Sequence, residues 1–245
     1  MKMLKFIKMI LLTGALGVAM SSCVDSDDPD FQVVGNAYVI QKNNEYGGKE
    51  FATYAAVVAS YGTVQEISLR RNTYDLVFLY KLGEGIYESQ MIWGPLSNCN
   101  GTYLISAQDE KGNVAQKSFE LKIDKGLGDL TIVEPLEYKG GKLTATWKKV
   151  DGTTAYVLVG FGGKEGFYRI NSGYYSWTTT TNVDDNSISG TFLPFETISN
   201  LTQETELLVA VVAAYSSTGG NLFLEGNYYK IVAGQDGVTP VSNFD

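Results

Sequence analysis

Aromatic and hydroxyl side chains are concentrated in one segment of the sequence, GGKEGFYRINSGYYSWTTTTNVDDN, residues 162–186. In an extended strand Tyr175 and Trp177 project to one face, followed by Thr179 and Thr181. Flat amphipathic rings stack on the apolar face of a pyranose, and neighbouring polar groups bind its hydroxyls. The segment therefore predicts a sugar-binding platform made of Phe167, Tyr168, Tyr174, Tyr175, Trp177 and Asp184.

Two other interpretations of this segment stay open. Tyr, Trp and Thr are common strand residues, and a long hairpin at the edge of a sandwich needs aromatic rings to pack it down. The same rings could also form a surface for a protein partner. Asp184 and Asp185 could offer acceptors to a ligand, or they could simply cap a turn.

The residue types that are missing restrict catalysis. The chain has no histidine, which excludes Ser-His-Asp and Cys-His catalysis and every His-ligated metal site. Two cysteines are too few for a thiolate zinc cluster. Paired carboxylates hydrolyse glycosides without histidine, but no strand carries acids spaced along one face. The acidic runs DSDDPD and VDDN do not follow a calcium-loop spacing. We expect no enzyme activity, no metal and no cofactor.

The charge of the chain disfavours one class of partner. Without the three lysines among residues 1–22, the 19 basic residues fall to 16 against 27 acidic ones, a net charge of −11. Basic residues come at most as doublets such as Arg70-Arg71. Such a surface repels phosphate backbones, so we expect no nucleic-acid partner.

Residues 1–22 have the pattern of a secretory signal peptide. Lys2, Lys5 and Lys8 precede the 12-residue apolar run MILLTGALGVAM. A membrane-spanning helix needs about 20 apolar residues, so this run is too short to span a bilayer. A charged start followed by a short apolar core is typical of a signal that is removed.

The run AMSSCVDSDDPD that follows resembles a bacterial lipoprotein signal, with Met20 where leucine is usual. The resemblance implies cleavage before Cys23 and acylation of Cys23, which makes the membrane a partner through lipid. An ordinary signal followed by a chance cysteine is the alternative. Residues 23–32 would form an extended acidic tether. The tether also resembles an export signal for the outer face of the outer membrane. Cys99 would then be a small half-buried hydrophobe in a loop, or a reactive thiol.

The rest of the chain is typical of β-sandwiches. Seven candidate strands occupy about 95 residues of the first half, a spacing expected of a sandwich over residues 33–125. These strands are VGNAYVIQ, EFATYAAVVASY, EISLRR, DLVFLYKL, ESQMIWG, GTYLISAQD and AQKSFELKI. The last two flank DEKGN, where Gly112 and Asn113 could take left-handed turn conformations. The hairpin at 101–123 resembles the closing hairpin of bacterial immunoglobulin-like domains.

A short hinge is expected at DKGLGD, residues 124–129, because two glycines and two aspartates separate β runs. Beyond it, LTIVEPLEYKGGKLTATWKKVDGTTAYVLVGFG and ISNLTQETELLVAVVAAYS resemble a fibronectin type III domain, assigned to residues 126–234. Alternation places Leu143, Ala145 and Trp147 inside the sandwich. The resemblance adds Leu201, Val209, Val211 and Ala213 to the core. Two positions depart from the family: Gln203 replaces a turn proline, and Leu207 replaces the corner tyrosine. Residues 235–245 are expected to be a flexible tail.

Together these features predict an all-β protein of two tandem immunoglobulin-like and fibronectin type III-like sandwiches, lipid-anchored at the cell surface. The predicted fold and cell-surface localisation resemble those of the accessory lipoproteins of outer-membrane glycan-uptake systems. The resemblance implies a non-catalytic binding accessory, with glycan as the expected ligand. The alternative is a structural spacer or adhesion subunit that acts through protein contacts, for instance at sheet edges.

Overall fold

The computed structural model describes residues 30–43, 47–161, 174–176, 179–182, 184–194 and 206–241. Within these ranges the protein is all-β, as the sequence predicts. The chain forms two compact units. Unit 1 contains residues before Val39 together with Thr53–Ile92 and Asn100–Lys122. Unit 2 contains Val39–Ala52, Trp93–Cys99 and Ile123–Asp245, so the first two strands contribute residues to both units.

The first eight strands are β1 (Gln32–Asn43), β2 (Lys49–Ser60), β3 (Val64–Arg71), β4 (Asp75–Val77), β5 (Leu79–Gly83), β6 (Ile86–Ser89), β7 (Gly101–Asp109) and β8 (Val114–Leu121). In unit 1 one antiparallel sheet has the order β4-β3-β7-β8, and in a second sheet β6 pairs with both β2 and β5. Strand alternation turns Tyr103, Ile105 and Ala107 of β7 into the core, as expected. Tyr103 stacks on Phe119 of β8 with ring centroids 5.2 Å apart.

The predicted strand ESQMIWG is only partly present, because β6 ends at Ser89. The ladder between β2 and β6 covers Ala56↔Glu88 to Val58↔Ile86. Beyond it, the buried Ser89 hydroxyl accepts a hydrogen bond from the Ala55 backbone N–H at 2.8 Å. The Ser89 side chain thus accepts the hydrogen bond from Ala55 that the backbone of a longer β6 would have accepted, and β6 ends there.

The predicted hairpin between β7 and β8 is present, and one carboxylate organises its turn. Asp109 accepts hydrogen bonds from the backbone N–H groups of Lys111 (2.9 Å) and Asn113 (2.8 Å), and from the Asn113 side chain (2.8 Å). Burial by itself raises the pKa of Asp109, but these hydrogen bonds outweigh it and hold the pKa below its ordinary value. Gly112 takes the expected left-handed conformation, with φ 85°. Asn113 does not, because Asp109 fixes its backbone instead.

Unit 2 contains the strands β9 (Ile132–Lys139), β10 (Lys142–Lys148), β11 (Ala155–Phe161), β12 (Tyr174–Ser176), β13 (Thr179–Asn182), β14 (Ser187–Phe192), β15 (Glu206–Ser217), β16 (Gly220–Glu225), β17 (Tyr228–Val232) and β18 (Gln235–Val241). One sheet has the order β13-β14-β10-β9. In the other, β15 is central and pairs with β11, β16 and β17. The Val39–Gln41 part of β1 joins this sheet by pairing in parallel with β16.

The core of unit 2 contains the residues that alternation predicted. Leu143, Ala145 and Trp147 are buried together with Val209 and Val211. The Trp147 ring lies 5.3 Å from the Tyr156 ring, centroid to centroid. Ala213 is also buried. Leu207, at the position of the family's corner tyrosine, is fully buried in the same cluster, so this corner is held by apolar packing. Leu201 and Gln203 lie outside the described residues.

The segment predicted as a hinge, residues 124–129, is hydrogen bonded to β1 within unit 2. Leu127 is buried, and its backbone N–H donates to the Gln41 Oε1 at 2.8 Å. Its carbonyl accepts from the Gln41 Nε2 at 3.1 Å and from the Lys49 Nζ at 2.6 Å. Gly126 leaves room for this contact, since a Cβ there would lie 2.8 Å from both Gln41 Oε1 and Phe51 Cζ.

The expected flexible tail is a strand over most of its length. Residues 235–241 form β18, which pairs antiparallel with β17 from Tyr228↔Val241 to Val232↔Gln235. Val238 packs against the unit 2 core, which gives this polar-looking strand an apolar anchor. Gly237 and Pro240 obscured the pattern in the sequence, because both residues are depleted in strands.

Candidate functional site

The predicted aromatic platform is only partly within the described residues. Tyr174 and Tyr175 lie in β12, which pairs with β11, so Tyr175 stands opposite Leu158. Thr179 and Thr181 lie in β13, which pairs with β14 in the other sheet. The tyrosines and the threonines therefore lie on two separate strands, whereas alternation had predicted one continuous strand. Phe167, Tyr168 and Trp177 lie outside the described residues, and the platform stays a prediction.

Asp184, the acidic member of that set, shapes a turn. It is exposed, and its Oδ1 accepts a hydrogen bond from the Asn186 backbone N–H at 2.7 Å. This hydrogen bond is the main reason why the pKa of Asp184 lies below its ordinary value. The neighbouring Asp185 is exposed, and its carbonyl accepts from the Lys149 Nζ at 2.9 Å. This geometry agrees with the interpretation in which Asp184 caps a turn.

A second candidate site lies in unit 1, on the outward face of the sheet β4-β3-β7-β8. Alternation that buries one set of residues turns their neighbours to solvent. These neighbours surround an open depression of about 680 Å³. We call it the polar depression; it is lined by Ser68, Arg70, Asn72, Thr73, Thr102, Leu104, Ser106, Gln116 and Ser118.

Strand register arranges these side chains in rows across the sheet. Ser68 stands opposite Ser106, which stands opposite Gln116, whose Nε2 lies 3.3 Å from the Ser106 Oγ. The next row is apolar at its centre, since Leu104 stands between Arg70 and Ser118. Hydroxyls and amides both donate and accept hydrogen bonds. The depression thus has an apolar floor residue surrounded by groups that match the hydroxyls of a sugar.

One end of the depression is fixed by the turn between β3 and β4. Asn72 has φ 49°, and its Oδ1 accepts from the Thr102 backbone N–H at 3.1 Å. Gly101 permits this approach, because a Cβ there would lie 2.3 Å from the Asn72 Oδ1. The turn then presents Tyr74, whose side chain is 90% exposed, directly after the lining residue Thr73.

Arg70 supplies the positive charge of the depression. It is exposed, and no described carboxylate forms an ion pair with it, whereas the adjacent Arg71 bonds Asp75 at 2.8 Å. A guanidinium carries five N–H donors in a planar fork that matches paired oxygens. Arg70 is therefore available to bind a polar ligand on the sheet face.

A third feature is an apolar sheet edge, which we define as residues 76–80, Leu-Val-Phe-Leu-Tyr. Leu76, Phe78 and Tyr80 are 53%, 58% and 53% exposed. The run begins in β4, at the end of one sheet of unit 1, and passes into β5, at the end of the other. Phe78 is the residue of the crossing, and its carbonyl accepts from the Gln90 backbone N–H at 2.8 Å.

Sequence reasoning did not single out the polar depression or the apolar edge. The signal for the depression is present, since Thr102, Leu104 and Ser106 alternate with the buried residues of β7. Nothing in one strand, however, shows which outward residues of β3 and β8 stand beside them. For the edge, DLVFLYKL was correctly identified as extended, but its position at the end of both sheets depends on the fold.

Among the described residues, no three His, Cys, Asp or Glu side chains lie close enough to hold a metal ion. No helix in the described ranges is long and apolar enough to cross a membrane. Cys99 follows the 3₁₀ turn Leu96–Asn98 and is fully buried rather than half-buried.

Comparison with known proteins gives little. No protein-family model matches the chain. No curated protein matches it either. Among solved structures, the chain is similar to one from a study of host cell surface retention of a 1.5-MDa bacterial ice-binding adhesin. The two are 12% identical with a TM-score of 0.25, and the match covers 82% of this chain and 63% of that one. The chain thus spans less than two thirds of that structure, and so distant a likeness carries no functional assignment.

Proposed function

We propose that this protein is a lipid-anchored, non-catalytic binding protein of the cell surface, and that its ligand is a glycan bound in the polar depression of unit 1. The observation that carries the proposal is the lining of the depression. Serine, threonine and amide side chains surround Leu104, with Arg70 at one side, and the exposed Tyr74 follows the lining residue Thr73 in the chain. This combination of apolar contact and many two-way hydrogen-bonding groups suits a pyranose better than a purely apolar ligand.

The geometry also supports binding rather than reaction. Asp184, the described acid of the proposed platform, caps a turn. None of the described residues that line the depression is a carboxylate. Glycoside hydrolysis needs two carboxyl groups flanking the scissile bond. We therefore assign no catalytic step to the depression.

The first experiment is a glycan array probed with residues 23–245 carrying Cys23→Ser, which is the expected mature chain without its lipid. Any glycan that binds is then titrated by calorimetry. Arg70→Ala should weaken binding about tenfold or more, since a hydrogen bond to a charged group is worth about 1.5–3 kcal/mol. Tyr74→Ala should weaken it about two- to tenfold, since an aromatic contact is worth about 0.5–1.5 kcal/mol. Tyr80→Ala is the matched control, because it removes a half-exposed ring outside the depression.

The variants also separate the two candidate glycan sites. Loss of binding in Tyr175→Ala or Trp177→Ala, with Arg70→Ala and Tyr74→Ala unchanged, would move the site to the aromatic segment 167–177. Binding to no glycan at all would refute glycan recognition and leave the spacer or adhesion subunit as the better account.

The proposed membrane anchoring and surface localisation are tested separately. Cys23→Ser in the full chain should abolish lipid labelling and membrane retention, because several acyl chains at about 0.8 kcal/mol per buried CH₂ are needed for stable anchoring. Protein that stays on the membrane would contradict the anchor. Replacing Asp25, Asp27 and Asp28 with Ala should leave lipidation intact and reduce exposure to externally added protease.

A further inference from the structure

Two neighbouring side chains of the polar depression offer hydrogen-bond donors and no acceptors. The guanidinium of Arg70 carries five N–H groups, and no described residue forms an ion pair with it. The side chain of Asn72 is oriented by the Thr102 backbone N–H, 3.1 Å from its Oδ1. Because a backbone N–H can only donate, the amide oxygen of Asn72 faces Thr102 and its NH₂ group stays available to a ligand.

Strand register places an apolar side chain on each side of Arg70. Leu76 of β4 stands opposite Arg70 on one side, and Leu104 of β7 stands opposite it on the other. Leu76 and Leu104 are 53% and 37% exposed, so both border Arg70 at the sheet surface. Apolar neighbours limit the water around the stem of Arg70, and a charged hydrogen bond is stronger where water is excluded.

The acids on this face of the sheet stand away from Arg70. Glu66 lies four residues before Arg70 on β3, and Glu120 lies two strands away on β8. With strands about 4.8 Å apart and a rise of about 3.4 Å per residue, both lie about 12–14 Å from Arg70 between Cα positions. This separation exceeds the screening length of about 8 Å at physiological salt. Asp75 stands in the row of Arg71 and bonds that residue instead.

We propose that the depression binds the carboxylate of an acidic sugar, a uronic or sialic acid residue, between Arg70 and Asn72. This ligand class rests on the proposed function, because it concerns the same depression. A carboxylate accepts hydrogen bonds through both oxygens and donates none, so it matches two side chains that only donate. Its planar pair of oxygens also fits the fork of a guanidinium. The serine and threonine hydroxyls of the lining both donate and accept, and they bind the hydroxyls of the same oligosaccharide.

The charge of the chain limits how many carboxylates such a ligand carries. The chain has 27 Asp and Glu residues against 19 Lys and Arg. A ligand with a carboxylate on every sugar would extend from Arg70 toward Glu66 or Glu120, where like charges repel it. The expected ligand is therefore a mostly neutral oligosaccharide that carries an isolated acidic sugar.

The first test compares sugars that differ only in the charge of one group. The probes are xylotriose carrying one glucuronic acid, and sialyllactose, each as the free acid and as its methyl ester. Each is titrated by calorimetry into residues 23–245 with Cys23→Ser. The ester keeps the rings, linkages and hydroxyls and removes the negative charge. At least one free acid should bind with a Kd below about 1 mM and at least about tenfold tighter than its ester, which is the size of a charged hydrogen bond. The pair that shows the preference identifies the acidic sugar as a uronic or a sialic acid.

Two variants test the residues that would hold the carboxylate. Arg70→Gln removes the charge. Asn72→Asp replaces the NH₂ group with a second oxygen, keeps the acceptor for Thr102 and tolerates the φ of 49°. Each variant should reduce the preference for acid over ester to within about threefold. Both positions are exposed, so the urea midpoint should stay that of the parent. Lys117→Gln is the matched control and should keep the preference: it makes the same change in net charge, but Lys117 stands opposite the buried Ile105, on the other face of the sheet.

The outcomes distinguish this ligand class from glycan binding in general. Esters that bind as tightly as their acids, or acids that all bind more weakly than about 1 mM, would overturn the acidic-sugar assignment. A preference that survives in Arg70→Gln or Asn72→Asp, or that disappears in Lys117→Gln, would overturn it as well. The proposed function would still stand if the array shows a neutral glycan whose affinity falls in Arg70→Ala. A parent chain that binds no glycan of either kind refutes both.

Discussion

Replacing Gln41 should destabilise unit 2, because this fully buried side chain satisfies both backbone groups of Leu127. Its Oε1 accepts from the Leu127 N–H at 2.8 Å, and its Nε2 donates to the Leu127 carbonyl at 3.1 Å. Gln41→Leu keeps the volume but removes both bonds. The carbonyl keeps Lys49, at 2.6 Å, whereas the buried N–H loses its partner. A buried unsatisfied donor costs about 1–3 kcal/mol, so we expect a total loss of roughly 2–4 kcal/mol.

The assay is equilibrium urea unfolding followed by tryptophan fluorescence. All three tryptophans, Trp93, Trp147 and Trp177, belong to unit 2, so the signal reports this unit. Gln235→Leu is the control: Gln235 is exposed on β18 of the same unit, and a similar loss there would point to a general effect.

A charged variant at the same position sharpens the test. Gln41→Glu should be destabilised at neutral pH, because a buried carboxylate cannot donate to the Leu127 carbonyl and burial raises its pKa. The stability of this variant should recover in part as the pH falls, because the protonated carboxyl group can donate a hydrogen bond to the Leu127 carbonyl. If Gln41→Leu unfolds within about 0.5 kcal/mol of the parent, the size of an ordinary surface substitution, the anchoring role is wrong.

Three further predictions concern both units and are measured by unfolding followed by far-ultraviolet circular dichroism. The pKa of Asp109 is lowered in the folded state, so its contribution is present above the unfolded pKa of about 3.9 and is lost as the pH falls through the folded pKa. Asp109→Asn should therefore reduce the acid sensitivity of unit 1, monitored by far-ultraviolet circular dichroism between pH 2 and about 6, and an unchanged pH slope would contradict this. Gly126→Ala should cost about 1–3 kcal/mol by overpacking against Phe51, whereas Gly83→Ala, whose Cβ meets only an atom at 3.9 Å, should not. Leu207→Ala should cost about 2–5 kcal/mol if packing alone holds that corner, compared with little for the more exposed Leu193→Ala.

Alternation in the sequence was sufficient for the all-β fold and for the inward residues of the main strands. Leu143, Ala145 and Trp147 are buried as predicted, because a period of two fixes which face a residue occupies. Where strands end was harder to predict. The end of β6 depends on the Ser89 hydroxyl, which bonds a strand 34 residues away in the sequence. The strand β18 depends on the packing of Val238 against a core that is formed elsewhere in the chain.

The candidate site was less predictable than the fold, because the polar depression is a property of three strands in register. Thr102, Leu104 and Ser106 are ordinary outward residues when β7 is considered alone. They become part of the polar depression only when Arg70 of β3 and Ser118 of β8 stand on either side of Leu104. The aromatic segment drew attention because its rings are adjacent in sequence, yet β12 and β13 pair into different sheets. In a β-sandwich the neighbours that matter for recognition lie across strands, so residue density along the chain is a weaker guide to a binding site than register.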